Sequence, residues 1–400
     1  VKFYGDIPVW GDPVDEGALA QAQVCLRTAK HVAMMADHHL GYAVPIGGVV
    51  SYEGAISPSG VGYDIGCGNK AVRLDIPAHY VTENLPAIMD AIVSQISFGM
   101  GRTNDTPVDH PILDRSEARW NHPAVLPLKR MAADQLGTVG GGNHYVDIFL
   151  DQQDRVWIGV HFGSRGLGHK TATWFLKQGG AKDAINAEPL VLPLASALGA
   201  EYLQCMTLAG EYAYAGRDWV CAKVAEIIGA EIVEEVHNHH NFAWPEEHFG
   251  QSLIVVRKGA TPMWPGQRGF IGGSMGDPAF IVRGFDPFTM AAKRDQLLSM
   301  YSAPHGAGRL MSRTAAKGKF VKDANGKKQR MPGLVRHDAW AKWMEDAGVE
   351  LRGGDLDEAP QAYKRIEEVL AHHTYMQIDH TLRPIGVAMA GRDVVDPFKD

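Results

Sequence analysis

Several histidines of this 400-residue chain stand where an imidazole could do chemistry. Residues 302–313, SAPHGAGRLMSR, set His305 between a proline and a Gly-Ala-Gly turn, with Arg309 and Arg313 following four residues apart. Glycines beside an imidazole let a bulky group approach it closely, and arginines at that spacing share a helix face. His305 could meet water, a metal or a phosphorus atom. Other donors sit in comparable settings: Asp37, His38 and His39 in MMADHHLG, Cys67 in GYDIGCGN, and His237, His239, His240 and Asn241 in VHNHHNF. Aspartate, cysteine and histidine together make a donor set of mixed softness, suited to Zn, Mn or Fe, and softness alone favours Zn. The spacing matches no zinc finger. Each motif also has a plain structural reading: Cys67 as a small buried side chain, His38 and His39 as loop caps, 237–240 as a solvated helix end.

The elements that must hold these groups follow from periodicity. In NHYVDIFLDQQDRVWIGVH the turn 151–154 separates two alternating apolar runs, which predicts an antiparallel hairpin. A regular ladder about that turn sets His144 opposite His161, with Cβ atoms about 4.5–5.5 Å apart on one face. That suits one metal, two adjacent metals, or a pair of satisfied histidines at a sheet edge. Strands are expected at 145–150, 155–161, 252–257 and 279–283, with 44–50 extended. Helices are expected at 14–30, 83–97, 335–346 and 360–373, and as one helix or two over 195–229. The Pro- and Asp-rich stretch 102–126 reads as a surface excursion. Helices and strands are interspersed without strict alternation, so the expected fold class is α+β.

Composition sets limits on function. The chain is 45% hydrophobic and 21% charged, with 45 glycines and a net charge of −7. That describes a soluble globular protein without a broad nucleic-acid footprint, although a local one is compatible with it. Residues 309–330 hold eight basic residues and one acidic one, a local patch that could steer phosphates. Lys327, Lys328 and Arg330 within it read as a solvated loop. The four cysteines show no paired spacing, no apolar run is long enough to span a bilayer, and the first residues lack a signal-peptide core. A cytoplasmic setting is expected.

Taken together, VKFYGDIPV, MADHHLG, GVGYDIGCGN, LGTVGGGNH, HFGSRGLG, HHNF, VRKGA, GSMG, HGAGRLMSR and EAPQAYK make the chain resemble the RtcB-type RNA ligases over nearly its whole length. The resemblance implies one α+β catalytic domain across residues 1–400, with two Mn²⁺ ions (Zn²⁺ being an alternative in the isolated protein). It implies GTP as co-substrate, ATP not being excluded. Its substrate would be RNA with 3′-phosphate or 2′,3′-cyclic phosphate ends and 5′-hydroxyl ends, in RNA repair or tRNA splicing, and an archease-like protein would be its activator. Carried over, Cys67 would bridge two metals, one completed by His161 and His240 and the other by Asp37 and His144. His305 would take the nucleotide. Asn143, Asp147, Gly273, Ser274, Gly306, Ala307 and Tyr363 would form the nucleotide pocket, and Arg165, Asn241, Arg309 and Arg313 would contact phosphate or RNA.

The chain departs from the family pattern at Gly272 (for proline), Ala279 (for serine), Ala390 (for lysine), Asp147 (for glutamate) and Gly216 (for asparagine), and it continues past the usual terminus as 392–400. The metal set and the nucleophile are kept while the base-recognition shell is changed, so a divergent paralogue is expected. The competing expectations are a binuclear metal phosphoesterase acting on RNA ends and an RNA-end-binding paralogue with impaired catalysis.

Overall fold

A computed structural model of the chain describes residues 1–114, 118–182, 184–322 and 328–391. Two large sheets dominate it, and nearly all their strand pairs are antiparallel, giving the expected α+β class. One sheet runs in the order Lys2–Tyr4, Ile7–Val9, His31–His39, Ile46–Tyr52, Gln251–Lys258, Asn241–His248. The other runs Ile232–His239, Gly68–Pro77, Arg155–Phe162, Tyr145–Asp151, Met376–Met389, Ala279–Gly284, Arg268–Ile271, with Glu350–Arg352 pairing parallel to Met376–Met389. The chain crosses from one sheet to the other at His240, the single residue between Ile232–His239 and Asn241–His248.

The region 195–229 is one helix, Ala197–Ile228. Ser196 caps its start by accepting from the Gly199 N–H, and Gly229 ends it in the left-handed region at φ 79°. Its inner face carries small residues, Ala209, Gly210, Ala213 and Gly216, which let the helix settle closely onto the second sheet. Val72, Val146, Ile158, Val160, Val220 and Val224 form the apolar layer between them.

Other expectations are modified. The helix expected at 83–97 divides into Ala78–Glu83 and Leu85–Gln95, the second opening with Pro86 in its first turn, where proline costs no hydrogen bond. The helix expected at 360–373 is a short turn Pro360–Ala362, an extended Tyr363 and a helix Ile366–Ala371. The first helix is Glu16–Cys25, capped by Asp15. Strands His31–His39 and Ile232–His239 were not expected: their histidines and acids break the apolar alternation because the ends of both strands serve a site. The stretch 102–126 is more than a surface excursion, since Ile112, Leu113, Trp120 and Val125 are buried in the core of the first sheet. Among the described residues no helix is long and apolar enough to cross a membrane. The 392–400 extension lies outside the described residues.

Candidate active site

Four neighbouring strands of the second sheet end together, and each carries a donor there. Cys67 directly precedes Gly68–Pro77, His161 lies at the end of Arg155–Phe162, His240 directly follows Ile232–His239, and His144 directly precedes Tyr145–Asp151. The Cys67 carbonyl accepts from His240 N at 2.8 Å and Asn241 N at 3.2 Å, tying the cysteine turn to the crossover residue. Cys67 Sγ lies 3.2 Å from His161 Nε2 and 3.7 Å from His144 Nε2, and His161 Nε2 lies 3.3 Å from His240 Nε2. The donor atoms of Cys67, His161 and His240 fall within 4.8 Å of one another, as do those of Asp64, Cys67 and His144. Cys67 belongs to both groups.

The expected hairpin forms with a different register. Tyr145, not His144, is paired with His161. Asp151 accepts from Asp154 N at 3.0 Å and Asp154 sits at φ 55°, so the loop is the three residues 152–154 and its centre is half a residue further on than a four-residue turn would put it. A one-residue slip within a strand would reverse the face of His144. His144 escapes this because it precedes the strand, and its ring still lies 5.3 Å from that of His161.

The protonation pattern fits cation binding. His161 Nδ1 lies 3.1 Å from the Asn143 carbonyl. A carbonyl can only accept, so the proton is assigned to Nδ1 and the Nε2 lone pair faces Cys67 and His240. Burial holds His161 and His240 well below the usual imidazole range. Burial pushes the Asp64 carboxyl up, but the hydrogen bond and charge of His144, together with Cys67 and Arg165, outweigh it and hold the group at about 2. Burial and the neighbouring Asp64 raise the Cys67 thiol well above its usual value. A bound dication would reverse that, because a coordinating thiol is deprotonated. The three donor atoms of Cys67, His161 and His240 converge, and a cation among them would be bound by the thiolate and both Nε2 lone pairs, with the His240 proton moved to its unpartnered Nδ1.

Asp37 is placed elsewhere. It belongs to the first sheet, where its strand breaks register with Ile46–Tyr52 between Met34 and His39. Its fully buried Oδ2 accepts from His305 N at 2.9 Å and faces His305 Nδ1 at 2.7 Å. Asp64, three residues before Cys67, stands beside His144 at 3.0 Å, where the sequence reading expected Asp37. Burial works to raise the Asp37 carboxyl, but His305 and Lys364 outweigh it and the group stays below its ordinary value. With Nδ1 donating to Asp37, the His305 Nε2 lone pair is free, and the ring lies 4.8 Å from that of His240. Gly308, at φ +74°, lets this loop close: a Cβ there would lie 2.1 Å from the Asp37 carbonyl oxygen.

A cavity of about 690 Å³ opens over these groups. Every expected site residue lines it except Asp37 and Arg165. Asp147 is buried with Oδ1 unpartnered, and burial raises its carboxyl well above the usual range. Ser274 Oγ donates to Asp277, and the Asn241 side chain accepts from Gly259 N at 2.8 Å. Arg309 donates to the Tyr363 hydroxyl at 2.8 Å and to Glu358 at 3.2 Å, and Arg313 and Tyr363 also bond Glu358. These two arginines therefore enter the cavity already paired. Arg165 sits behind His144, donating to the Gly99 carbonyl at 3.0 Å and Thr138 Oγ1 at 3.2 Å. At Gly272, where the resemblance led to an expectation of proline, a Cβ would lie 2.3 Å from the Tyr145 hydroxyl, so the tyrosine takes up that space.

The sequence reading missed Asp64, Glu358 and Arg217. The first two stand inside quoted motifs, Asp64 three residues ahead of the cysteine and Glu358 five ahead of Tyr363. A carboxylate that close to a ligand in a glycine-rich turn was the available signal.

The model of the family described as tRNA-splicing ligase RtcB matches residues 19–390. The chain is 33% identical over 425 residues to the RNA-splicing ligase RtcB of Escherichia coli strain K12, covering 95% of this chain and 96% of that protein. It is 29% identical over 445 residues to the tRNA-splicing ligase RtcB of Thermococcus kodakarensis, covering 90% and 87%. It is 27% identical over 417 residues to an RNA-splicing ligase RtcB homologue of Entamoeba dispar, covering 84% and 74%. With the family model matching most of the chain and a relative 33% identical over nearly its whole length, the chain belongs to the RtcB family.

Proposed function

We propose that this protein is an RNA ligase, acting as one catalytic unit, that joins RNA 3′-phosphate or cyclic-phosphate ends to 5′-hydroxyl ends through a nucleotide carried on His305. Its relatives' names support the ligase class. The observation that carries the rest is the buried Asp37–His305 pair at 2.7 Å, set against the cavity beside a cysteine-centred donor cluster. Asp37 keeps the proton on Nδ1, so Nε2 offers its lone pair to the α-phosphorus of GTP. The P–N bond forms as the bond to the bridging oxygen of pyrophosphate breaks. An oxygen of the RNA 3′-phosphate then attacks the same phosphorus, the P–N bond breaks, and the lone pair returns to Nε2. The capped 3′ end now has GMP as leaving group, and the RNA 5′-hydroxyl displaces it to make the phosphodiester. A cyclic phosphate must be opened by water before this sequence.

Cys67, His161 and His240 would hold one Mn²⁺ and Asp64, Cys67 and His144 the other. Bound there, the ions would neutralise charge on the nucleotide phosphates. Asn143, Asp147, Gly273, Ser274, Gly306, Ala307 and Tyr363 would line the nucleotide, with Asp147 offering its unpartnered oxygen. Asn241, Arg309 and Arg313 would meet phosphate, Arg309 and Arg313 by exchanging Glu358 for RNA, while Arg165, expected there, would support His144 from behind the cavity. A cytoplasmic setting, supported by free Cys25, Cys67, Cys205 and Cys221, and an archease-like activator belong to the same reading.

Intact-mass measurement with Mn²⁺ and GTP or ATP tests it. A nucleotide adduct on the wild type that is absent from His305→Ala is expected. Release of phosphate from RNA ends with no adduct would instead identify a phosphoesterase, and neither signal would identify a binding protein.

A further inference from the structure

On the far side of the Cys67 turn from the cavity, the long helix buries one guanidinium completely, that of Arg217. Its Nη1 donates to the Gly66 carbonyl at 2.9 Å and to the Phe162 carbonyl at 2.5 Å. Its Nη2 reaches His239 Nδ1 at 3.0 Å, and its Nε donates to His237 Nε2 at 2.8 Å. Gly66 precedes Cys67, Phe162 follows His161, and His239 precedes His240. One planar group thus touches the residue beside each member of the Cys67–His161–His240 donor group. We infer that Arg217 is a positioning residue that clamps these three chain segments in the spacing a cation requires; the inference rests on the metal centre proposed above.

The guanidinium suits this task because its donors are fixed in one rigid plane, whereas a lysine ammonium is a point on a flexible stem. It also fixes its neighbours. Arginine can only donate, so His239 Nδ1 must accept, and the 3.0 Å approach of that atom to the Gly66 carbonyl is a contact without a proton. His237 Nε2 accepts likewise, which leaves its proton on Nδ1, 3.3 Å from Asp218 Oδ1. Lys70 anchors Asp218 in turn at 2.5 Å. The Tyr214 ring covers the guanidinium face at 5.2 Å. The clamp is therefore held from behind by a chain of polar contacts that reaches the half-exposed Asp218.

Co²⁺ alone, titrated into the full chain, gives a readout independent of ligation: thiolate-to-cobalt absorption and the d–d bands report coordination. Wild type should show both, and Cys67→Ala should lose the thiolate band. Arg217→Lys keeps the charge and most of the volume but not the fork. It should bind Co²⁺ about 10- to 100-fold more weakly, the usual effect of losing an outer-shell partner, with shifted d–d bands. His237→Ala removes only the rear contact and should weaken binding less. Wild-type affinity and spectrum in Arg217→Lys would overturn the clamp while leaving the centre intact. Should that variant fail to fold, wild-type behaviour of His237→Ala would overturn it equally. Absence of any thiolate band in the wild type would remove the centre itself, and the clamp with it.

Discussion

At the scale of single residues, two aspartates that look alike in sequence do different work. Asp37 faces His305 with both its charge and its geometry, and Asp64 faces His144 and Cys67. Replacing Asp37 by Asn keeps the shape and an acceptor oxygen but removes the negative charge that holds the proton on Nδ1 and stabilises the positive charge developing on the ring as Nε2 attacks. Formation of the nucleotide adduct on Asp37→Asn should slow by about 10²- to 10⁴-fold, while metal content is unchanged. Asp64→Ala should do the reverse in the first instance, losing metal from the His144 side of the cluster. Metal analysis by mass spectrometry alongside adduct kinetics separates the two. Loss of metal from Asp37→Asn would return that residue to the ligand set and remove the tautomer argument.

At the scale of elements, the loop after Ser302–Pro304 must lie against strand His31–His39, and Gly308 is the contact point. Alanine there would adopt a left-handed backbone and push against the Asp37 carbonyl oxygen. Gly308→Ala should cost more than about 2 kcal/mol, adding the left-handed penalty to overpacking. Adduct formation should fall with it, because the strain separates His305 from Asp37. Thermal unfolding together with adduct yield checks this, and a variant with wild-type melting and yield would show that the loop is not docked as described. The same element explains what was legible in the sequence. The glycine-rich turns that carry Cys67, His144 and His305 stand out because backbone packed close to a site leaves no room for a Cβ, and His240 stands out through its run of histidine and asparagine. The hairpin 145–162 is evident from its alternation, but its register is not, since a loop of three residues and one of four differ only in the φ of Asp154. Which aspartate meets which histidine was not legible either. Asp37 lies in a strand of the first sheet and Asp64 in the turn that leads into Gly68–Pro77 of the second, so their placement depends on how the two sheets meet.

At the scale of the whole molecule, the two sheets and the long helix around the site bury several imidazoles, His237 against the helix and His39 and His373 against the first sheet. Burial is the largest influence on His237 and His373, each held down to about 3, and on His39, held down to about 4. Above pH 6.5 these side chains are neutral whether the chain is folded or not, and they contribute nothing to the pH dependence. Below it the unfolded chain takes up protons that the folded chain refuses, so stability is lost progressively from about pH 6.5 down to about 3–4. Each of them costs about 1.4 kcal/mol for every pH unit below its ordinary value. The depressed carboxyl of Asp64 acts in a different window: its contribution is complete above pH 3.8 and is lost only as pH falls through about 2. Acidification from pH 7.5 to 5.5 therefore charges these histidines in the unfolded chain only and leaves this aspartate alone. The metal-free protein should lose several kcal/mol and melt several degrees lower across that interval, an effect that saturating Mn²⁺ offsets in part by binding only the folded form. His373→Gln removes one of at least six buried histidines held down in this way (His39, His161, His237, His239, His240 and His373) and should flatten the slope by about a sixth when measured by calorimetry. A melting temperature that stayed level between pH 7.5 and 5.5 in the metal-free chain would mean that water reaches these rings, and their dry burial around the site would have to be given up.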